Sequence, residues 1–216
     1  VTRAIAKLLI KAGVNFAVLG PDECCTGDSA RRLGDEFLFQ ELAETNHATL
    51  KQHGARKILT QCAHCLNSLT HDYPQFGDSF EVTHRTEFLQ QLIDNGKLTA
   101  PTENGSVTYH DPCYLARVNG VHQAPRDLLG KGVSEMENRR EKTFCCGAGG
   151  GRMWMEEEAD QRVSVLRAKE AVATGAETVA VGCPFCLTMM TDGVKSCGSG
   201  AEVEDVAENL AKRLGL

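Results

Sequence analysis

Cysteine motifs recur in this chain at one fixed offset, and that repeat limits its fold more than any other feature. Cys24-Cys25 and Cys145-Cys146 stand 121 residues apart, and so do Cys62 and Cys183, and Cys65 and Cys186. The same shift pairs Arg31 with Arg152, Gly54-Ala55 with Gly175-Ala176, and Glu81-Val82 with Glu202-Val203. Glu87 likewise meets Glu208, and Leu89 meets Leu210. Chance spacing of cysteines would not carry glycine, acidic and apolar positions with it, so the chain reads as two homologous halves. They cover residues 1–95 and 106–216, joined by a loop-like stretch near 96–105 that is rich in Gly, Asn, Thr and Pro.

The second half holds one more motif cysteine, Cys113 in Tyr109-His110-Asp111-Pro112-Cys113-Tyr114. Its partner would fall ahead of Val1. The repeat therefore predicts a further cysteine upstream, and the helical spacing already under way at residues 1–10, with no initiating methionine, predicts a fragment of a longer chain.

Apolar patterning predicts strands at 16–19, 57–60 and 80–83 and helices at 28–53, 66–73 and 86–93 in the first half. In the second half it predicts strands at 106–109, 133–136 and 178–181 and helices at 156–173 and 206–214. Alternating strands and helices with short loops imply an α/β fold with parallel sheets: two tandem Rossmann-like half-domains, with the cysteine loops at the carboxyl ends of strands.

Five thiols, Cys113, Cys145, Cys146, Cys183 and Cys186, should then converge from three loops on one sheet edge. A structural zinc site takes four ligands, drawn from closely spaced pairs, and leaves the fifth idle. Iron–sulfur clusters are also held by thiolates, and a cluster of several irons accepts the diverging side chains of adjacent cysteines. Gly147, Gly149, Gly150 and Gly151 fit close approach of backbone to a bulky anionic core. On the residues alone, a zinc-stabilised binding module and a thioredoxin-like C-x-x-C pair stay open as alternatives.

Other residues carry plainer expectations. His64 should pack, because its partner in the second half is Phe185, and His110 should hold its loop. Cys197 has no partner in the repeat and reads as a free thiol at a helix end. Met153-Trp154-Met155, Tyr114 and Phe144 should shield the cysteine site from water.

The formal net charge of −6, with cations scattered among acids, argues against nucleic acid as a partner. No run approaches the roughly 18 apolar residues of a membrane span. No signal or transit peptide is visible, nor is a general acid–base pair or a nucleotide-binding glycine loop, so no catalytic side chain is assigned.

Cys113, Cys145-Cys146-Gly147 and Cys183-Pro184-Phe185-Cys186 resemble the cysteine-rich CCG domain found twice in the B-type subunit of heterodisulfide reductase and in related iron–sulfur oxidoreductases. The resemblance covers nearly the whole chain. Tyr109 to Leu115, Cys145 to Met155 and Gly182 to Cys186 are similar to the branch that passes electrons from electron-transfer flavoprotein to menaquinone at a membrane. It implies one or two [4Fe-4S] clusters of non-cubane type. One would sit on Cys113, Cys145, Cys146, Cys183 and Cys186, and one, in the intact protein, on Cys24, Cys25, Cys62 and Cys65.

The implied partners are electron-transfer flavoprotein or another redox protein and a membrane region of the same full-length chain. The implied location is cytoplasmic, at the inner face of the membrane. A heterodisulfide or thiol–disulfide reductase is the alternative activity. The first half departs from the motif in three places: Thr26 follows Cys24-Cys25, Ala63 replaces the proline of C-P-x-C, and the leading cysteine is missing.

Overall fold

A computed structural model describes residues 1–101, 105–158 and 161–216. The first half contains α1 (Thr2–Lys11), α2 (Asp28–Arg32), α3 (Glu36–Gln52), β1 (Lys57–Thr60), α4 (Ala63–Asn67), β2 (Glu81–His84) and α5 (Arg85–Asp94). The second contains β3 (Val107–His110), α6 (Ala124–Leu129), α7 (Val163–Ala173), β4 (Thr178–Val181), α8 (Pro184–Ser196), β5 (Glu202–Asp205) and α9 (Val206–Arg213). Among the described residues no helix is long and apolar enough to cross a membrane.

The α/β class and the parallel sheets stand as expected: β1 pairs with β2, and β3, β4 and β5 form a second sheet in that order, all parallel. Sheets of two and three strands carry the class without carrying the Rossmann-like comparison. The 121-residue offset recurs in the strand registers, since Lys57 lies opposite Glu81 just as Thr178 lies opposite Glu202. Helices α3 and α7 end 121 residues apart, and Gly54 and Gly175 follow them with φ of +63° and +73°, the left-handed turn that glycine supplies most readily.

Several predicted elements differ. Residues 16–19 form no strand. In the second half the stretch expected at 133–136 makes a single parallel bridge, Ser134 to Thr108 of β3. The predicted helix 28–53 is two helices, because Gly34 turns left-handed at φ +89° and Asp35 caps α3 by accepting from the Leu38 amide at 3.1 Å. Helix 156–173 starts only at Val163, with part of the predicted stretch, 159–160, outside the described residues. Of the joining loop, 102–104 also lie outside them.

Each half packs its first helix on the other half's last one. Helix α1 lies against α9, and α6 lies against α5. Leu8, Leu89 and Leu92 of the first half share one core with Leu128, Val206 and Leu210 of the second. Burying such apolar side chains stabilises by about 1.5–3 kcal/mol each, which makes this seam a main source of cohesion. The Val1 amine meets Glu208 at 2.6 Å, and fully buried Arg85 meets Asp205 at 2.5 Å. Helices α7 and α8 approach closely enough that a Cβ on Gly193 would lie 2.6 Å from the Ser164 carbonyl oxygen.

Asp205 also caps α9 by accepting from the Ala207 amide at 2.8 Å. Replacing it with alanine leaves the Arg85 guanidinium buried without its counter-charge, so Asp205→Ala should lower unfolding free energy by roughly 3–5 kcal/mol, read by urea denaturation.

Candidate metal centre

Both C-x-x-C turns occupy the same place in the repeat, the step from a strand into a helix. Cys62 follows β1 and stands at the N-cap of α4, and Cys183 follows β4 and stands at the N-cap of α8. A helix amino terminus favours negative charge, so each turn presents thiols where thiolate is stabilised. Extended φ/ψ at both residues, −114°/129° and −148°/136°, delivers the chain from strand to helix.

Reciprocal packing of the halves brings these turns face to face. Cys62 and Cys183 lie in one buried cluster and each shifts the acidity of the other. From there a string of interacting thiols extends, Cys62 acting on Cys65 on one side and Cys183 on Cys186 on the other. Cys186 lies 3.4 Å from Cys146, which adjoins Cys145, and Cys145 meets Cys113. Seven of the nine candidate ligands join this string. Cys24, half-buried, and Cys25, exposed, lie outside it.

Members of the string are driven apart in acidity, Cys65, Cys183 and Cys145 downward and Cys62, Cys186, Cys146 and Cys113 upward. Hydrogen bonds from Cys113 and Cys146, with the Gly147 and Gly149 amides, hold the Cys145 thiol far below its ordinary value. Cys186 and Cys62 do the same for Cys183 against its burial. Cys65 is lowered to about 7, chiefly by Cys62, while Cys146 is raised to about 12, chiefly by Cys145. Thiolates, the form that binds metal, are therefore favoured at Cys145, Cys183 and Cys65.

The geometry corrects the pairing of the adjacent cysteines. The Gly147 amide donates to Cys145 Sγ at 3.3 Å, and the Gly27 amide donates to Cys25 Sγ at 3.4 Å. Both glycines are left-handed, at φ +95° and +80°. Through this loop the offset is thus 120, with Cys25 matching Cys145 and Thr26 matching Cys146. Thr26 Oγ1 lies 3.5 Å from Cys65 Sγ, as Cys146 lies 3.4 Å from Cys186. A hydroxyl therefore stands where the second half has its additional thiol. The signal was Gly27 itself, one residue out of register with the 121-residue shift.

Cys113 is positioned from behind by Asp111, which is fully buried. Its carboxylate takes both Arg126 guanidinium nitrogens, at 2.7 and 2.8 Å, and the Arg140 amide at 2.8 Å. The Asp111 carbonyl accepts from Thr143 Oγ1 at 2.9 Å, tying the Cys113 loop to the one that carries Cys145. A bidentate arginine–carboxylate pair of this kind fixes orientation as well as distance.

The histidines do more than fill space. His64 packs on Tyr114 and Phe185, as expected of a packing residue, and its Nδ1 lies 2.7 Å from Asp28. Burial opposes its charge, yet the Asp28 hydrogen bond and the nearby Cys183 and Asp28 charges raise its pKa. His110 is fully buried at the end of β3, and burial and then Arg167 hold its pKa at about 3. A ring nitrogen of His110 and the sulfurs of Cys146 and Cys186 lie within 4.8 Å of one another.

Shielding is partial. Met153 and Tyr114 pack against the cysteine core, but Trp154 is 67% exposed and Met155 53%. Cys197 ends α8, as expected, with Sγ 3.9 Å from the Val165 carbonyl.

The sulfur-rich, amide-lined arrangement suits an iron–sulfur cluster: thiols from three loops, left-handed glycines that admit the backbone, and beside the sulfurs the His110 ring, whose buried Nε2 has no partner among the described residues. The family model described as CCG, cysteine-rich domain, matches residues 1–70 and 107–191. The chain belongs to that family. It is 46% identical over 97% of its length to the protein named "Probable iron-sulfur-binding oxidoreductase FadF" of Bacillus subtilis, covering 31% of that protein. It is 44% identical over 99% of its length to the EtfAB:quinone oxidoreductase of Syntrophomonas wolfei, covering 32%. With a subunit of the dihydromethanophenazine:CoB--CoM heterodisulfide reductase of Methanosarcina mazei the identity is 42%, over 99% of this chain and 55% of that relative. The chain thus spans about a third to about half of the relatives it matches.

A Cβ on Gly147 would lie 3.1 Å from the Ser164 amide nitrogen and 3.2 Å from Val163 Cβ, on a backbone that L-residues rarely adopt. Gly147→Ala should strain the Cys145-Cys146 turn by about 1–3 kcal/mol and lower the metal bound per purified chain, measured by iron analysis.

Proposed function

We propose that this chain is the iron–sulfur electron-transfer part of a larger oxidoreductase, its cysteine-rich halves being residues 1–95 and 106–216. In the second half Cys113, Cys145, Cys146, Cys183 and Cys186 would hold a [4Fe-4S] cluster of non-cubane type. In the first half Cys25, Cys62 and Cys65 would contribute to a second cluster, with Cys24 the residue least placed to join them. When bound, a cluster accepts and releases single electrons, and the side chains described here set its access to water and its charge.

The observation that carries this reading is the convergence of thiols from both halves: Cys62 of the first is buried in one cluster with Cys146, Cys183 and Cys186 of the second, where Cys146 and Cys186 lie 3.4 Å apart. It fits passage of electrons between two sites and has no counterpart in a four-ligand zinc module. The name of the Syntrophomonas wolfei relative supports electron-transfer flavoprotein as donor and a quinone as acceptor. A membrane region of the same full-length chain, at the cytoplasmic face, would complete that route.

Anaerobic purification followed by iron, acid-labile sulfide and zinc analysis should give iron and sulfide in near-equal amounts; zinc without sulfide would sink the cluster reading. Cys146→Ser should abolish the electron paramagnetic resonance signal of the second-half cluster. Adding a thiol or disulfide should leave the wild-type signal unchanged, whereas a new signal would favour disulfide reduction, the activity carried by the name of the Methanosarcina mazei relative.

A further inference from the structure

His110 has one ring nitrogen whose partner is fixed and one with none. Nδ1 lies 2.9 Å from Arg167 Nε, and Arg167 is itself fully buried on α7. Its remaining nitrogens are held by the Asn138 carbonyl at 2.8 Å and the Glu170 carboxylate at 2.6 Å, with Thr143 Oγ1 at 3.5 Å. The guanidinium is always protonated and donates only. Nδ1 must therefore be the acceptor, and the single ring proton of the neutral imidazole is on Nε2.

That Nε2–H is completely buried and has no hydrogen-bond partner among the described residues. An unsatisfied buried donor costs about 1–3 kcal/mol, so a partner is expected in the working molecule. The His110 ring lies beside the sulfurs of Cys146 and Cys186, one ring nitrogen and the two sulfurs being within 4.8 Å of one another, so a cluster held by those thiols would adjoin it.

We propose that His110 is a dedicated N–H donor to the sulfur of the second-half cluster, held in that role by Arg167. The inference rests on that set of cysteines holding a cluster. It assigns His110 as a potential-setting residue and Arg167 as the positioning residue behind it. Ligation of iron by His110 would need the reverse arrangement. A histidine that binds metal through one nitrogen donates the other N–H to a carboxylate, carbonyl or water, and here the other nitrogen faces a donor.

A hydrogen bond to a cluster sulfur stabilises the more negative, reduced state and raises the reduction potential. Nothing is transferred from His110 when an electron arrives. The N–H bond stays intact, and the added charge is met by a stronger hydrogen bond.

The test is an electron paramagnetic resonance-monitored redox titration of the anaerobically purified full-length protein, with iron and sulfide measured on each sample. His110→Leu should retain the cluster and disfavour reduction about tenfold, a shift of about 59 mV to lower potential for one electron. His110→Gln, whose amide accepts from Arg167 and donates onward, should restore most of that shift. An unchanged potential in a loaded His110→Leu protein would overturn the proposal.

Should His110→Leu fail to fold, wild-type protein labelled with 15N-histidine decides. Pulsed resonance on the reduced cluster should show weak nitrogen coupling of a hydrogen bond, which disappears in His110→Gln. The strong coupling of an Fe–N bond overturns the proposal, and so does no coupling. Wild type lacking iron and sulfide overturns the cluster reading and this inference with it, whereas a loaded wild type failing these measurements overturns this inference alone.

Discussion

The cysteine site depends on helices that pack across the repeat. Helix α1 leans on α9, and α6 leans on α5 as well as on α9 of its own half, so neither half buries its outer helices without the other. This exchange turns the carboxyl ends of β1 and β4 toward each other. Cys62 and Cys183 meet there, at equivalent strand-to-helix steps. Had each half closed on itself, the two C-x-x-C turns would have had no reason to touch. The buried Arg85–Asp205 pair sits on the same seam, where a misplaced charge would be costly, and so favours this register of the halves over others.

Much of this was legible because the 121-residue offset is a property of the backbone as well as of the cysteines. The offset carries β1 and β2 onto β4 and β5 without a slipped residue, and it places the glycine turns after α3 and α7. It could not show which half a helix packs on, since α1 has the same apolar stripe either way. Nor could it show that residues 16–19, whose composition suits a strand, pair with none among the described residues. Helix α8 follows Cys183 directly, although a Cys-Pro step reads as a turn in sequence. Pro184 in fact sits at the first helical position, where its absent N–H costs nothing.

The site was legible in its ligand types and less so in their alignment. Adjacent cysteines at 24–25 and 145–146 look equivalent, yet the amide that each loop aims at sulfur belongs to Gly27 in one and Gly147 in the other. A single-residue shift moves Thr26 into the place of Cys146. Likewise His110 reads from sequence as one more buried polar side chain. Its meaning comes from Arg167, 57 residues away, which no local pattern connects to it.

The two halves therefore differ at one sulfur position. Where the first has Thr26, the second has a thiol, and each additional thiolate brings negative charge into a low-dielectric site. Charge of that kind is tolerated only with donors aimed at it. Amides of Gly147 and the start of α8 answer part of that need, as Gly27 and α4 do in the first half. The remaining difference is the Cys146 sulfur, and near it lies a buried imidazole that has no partner for Nε2 among the described residues and has a guanidinium fixed behind it. Where negative charge is brought into a low-dielectric site, a donor held in this way is what the charge requires.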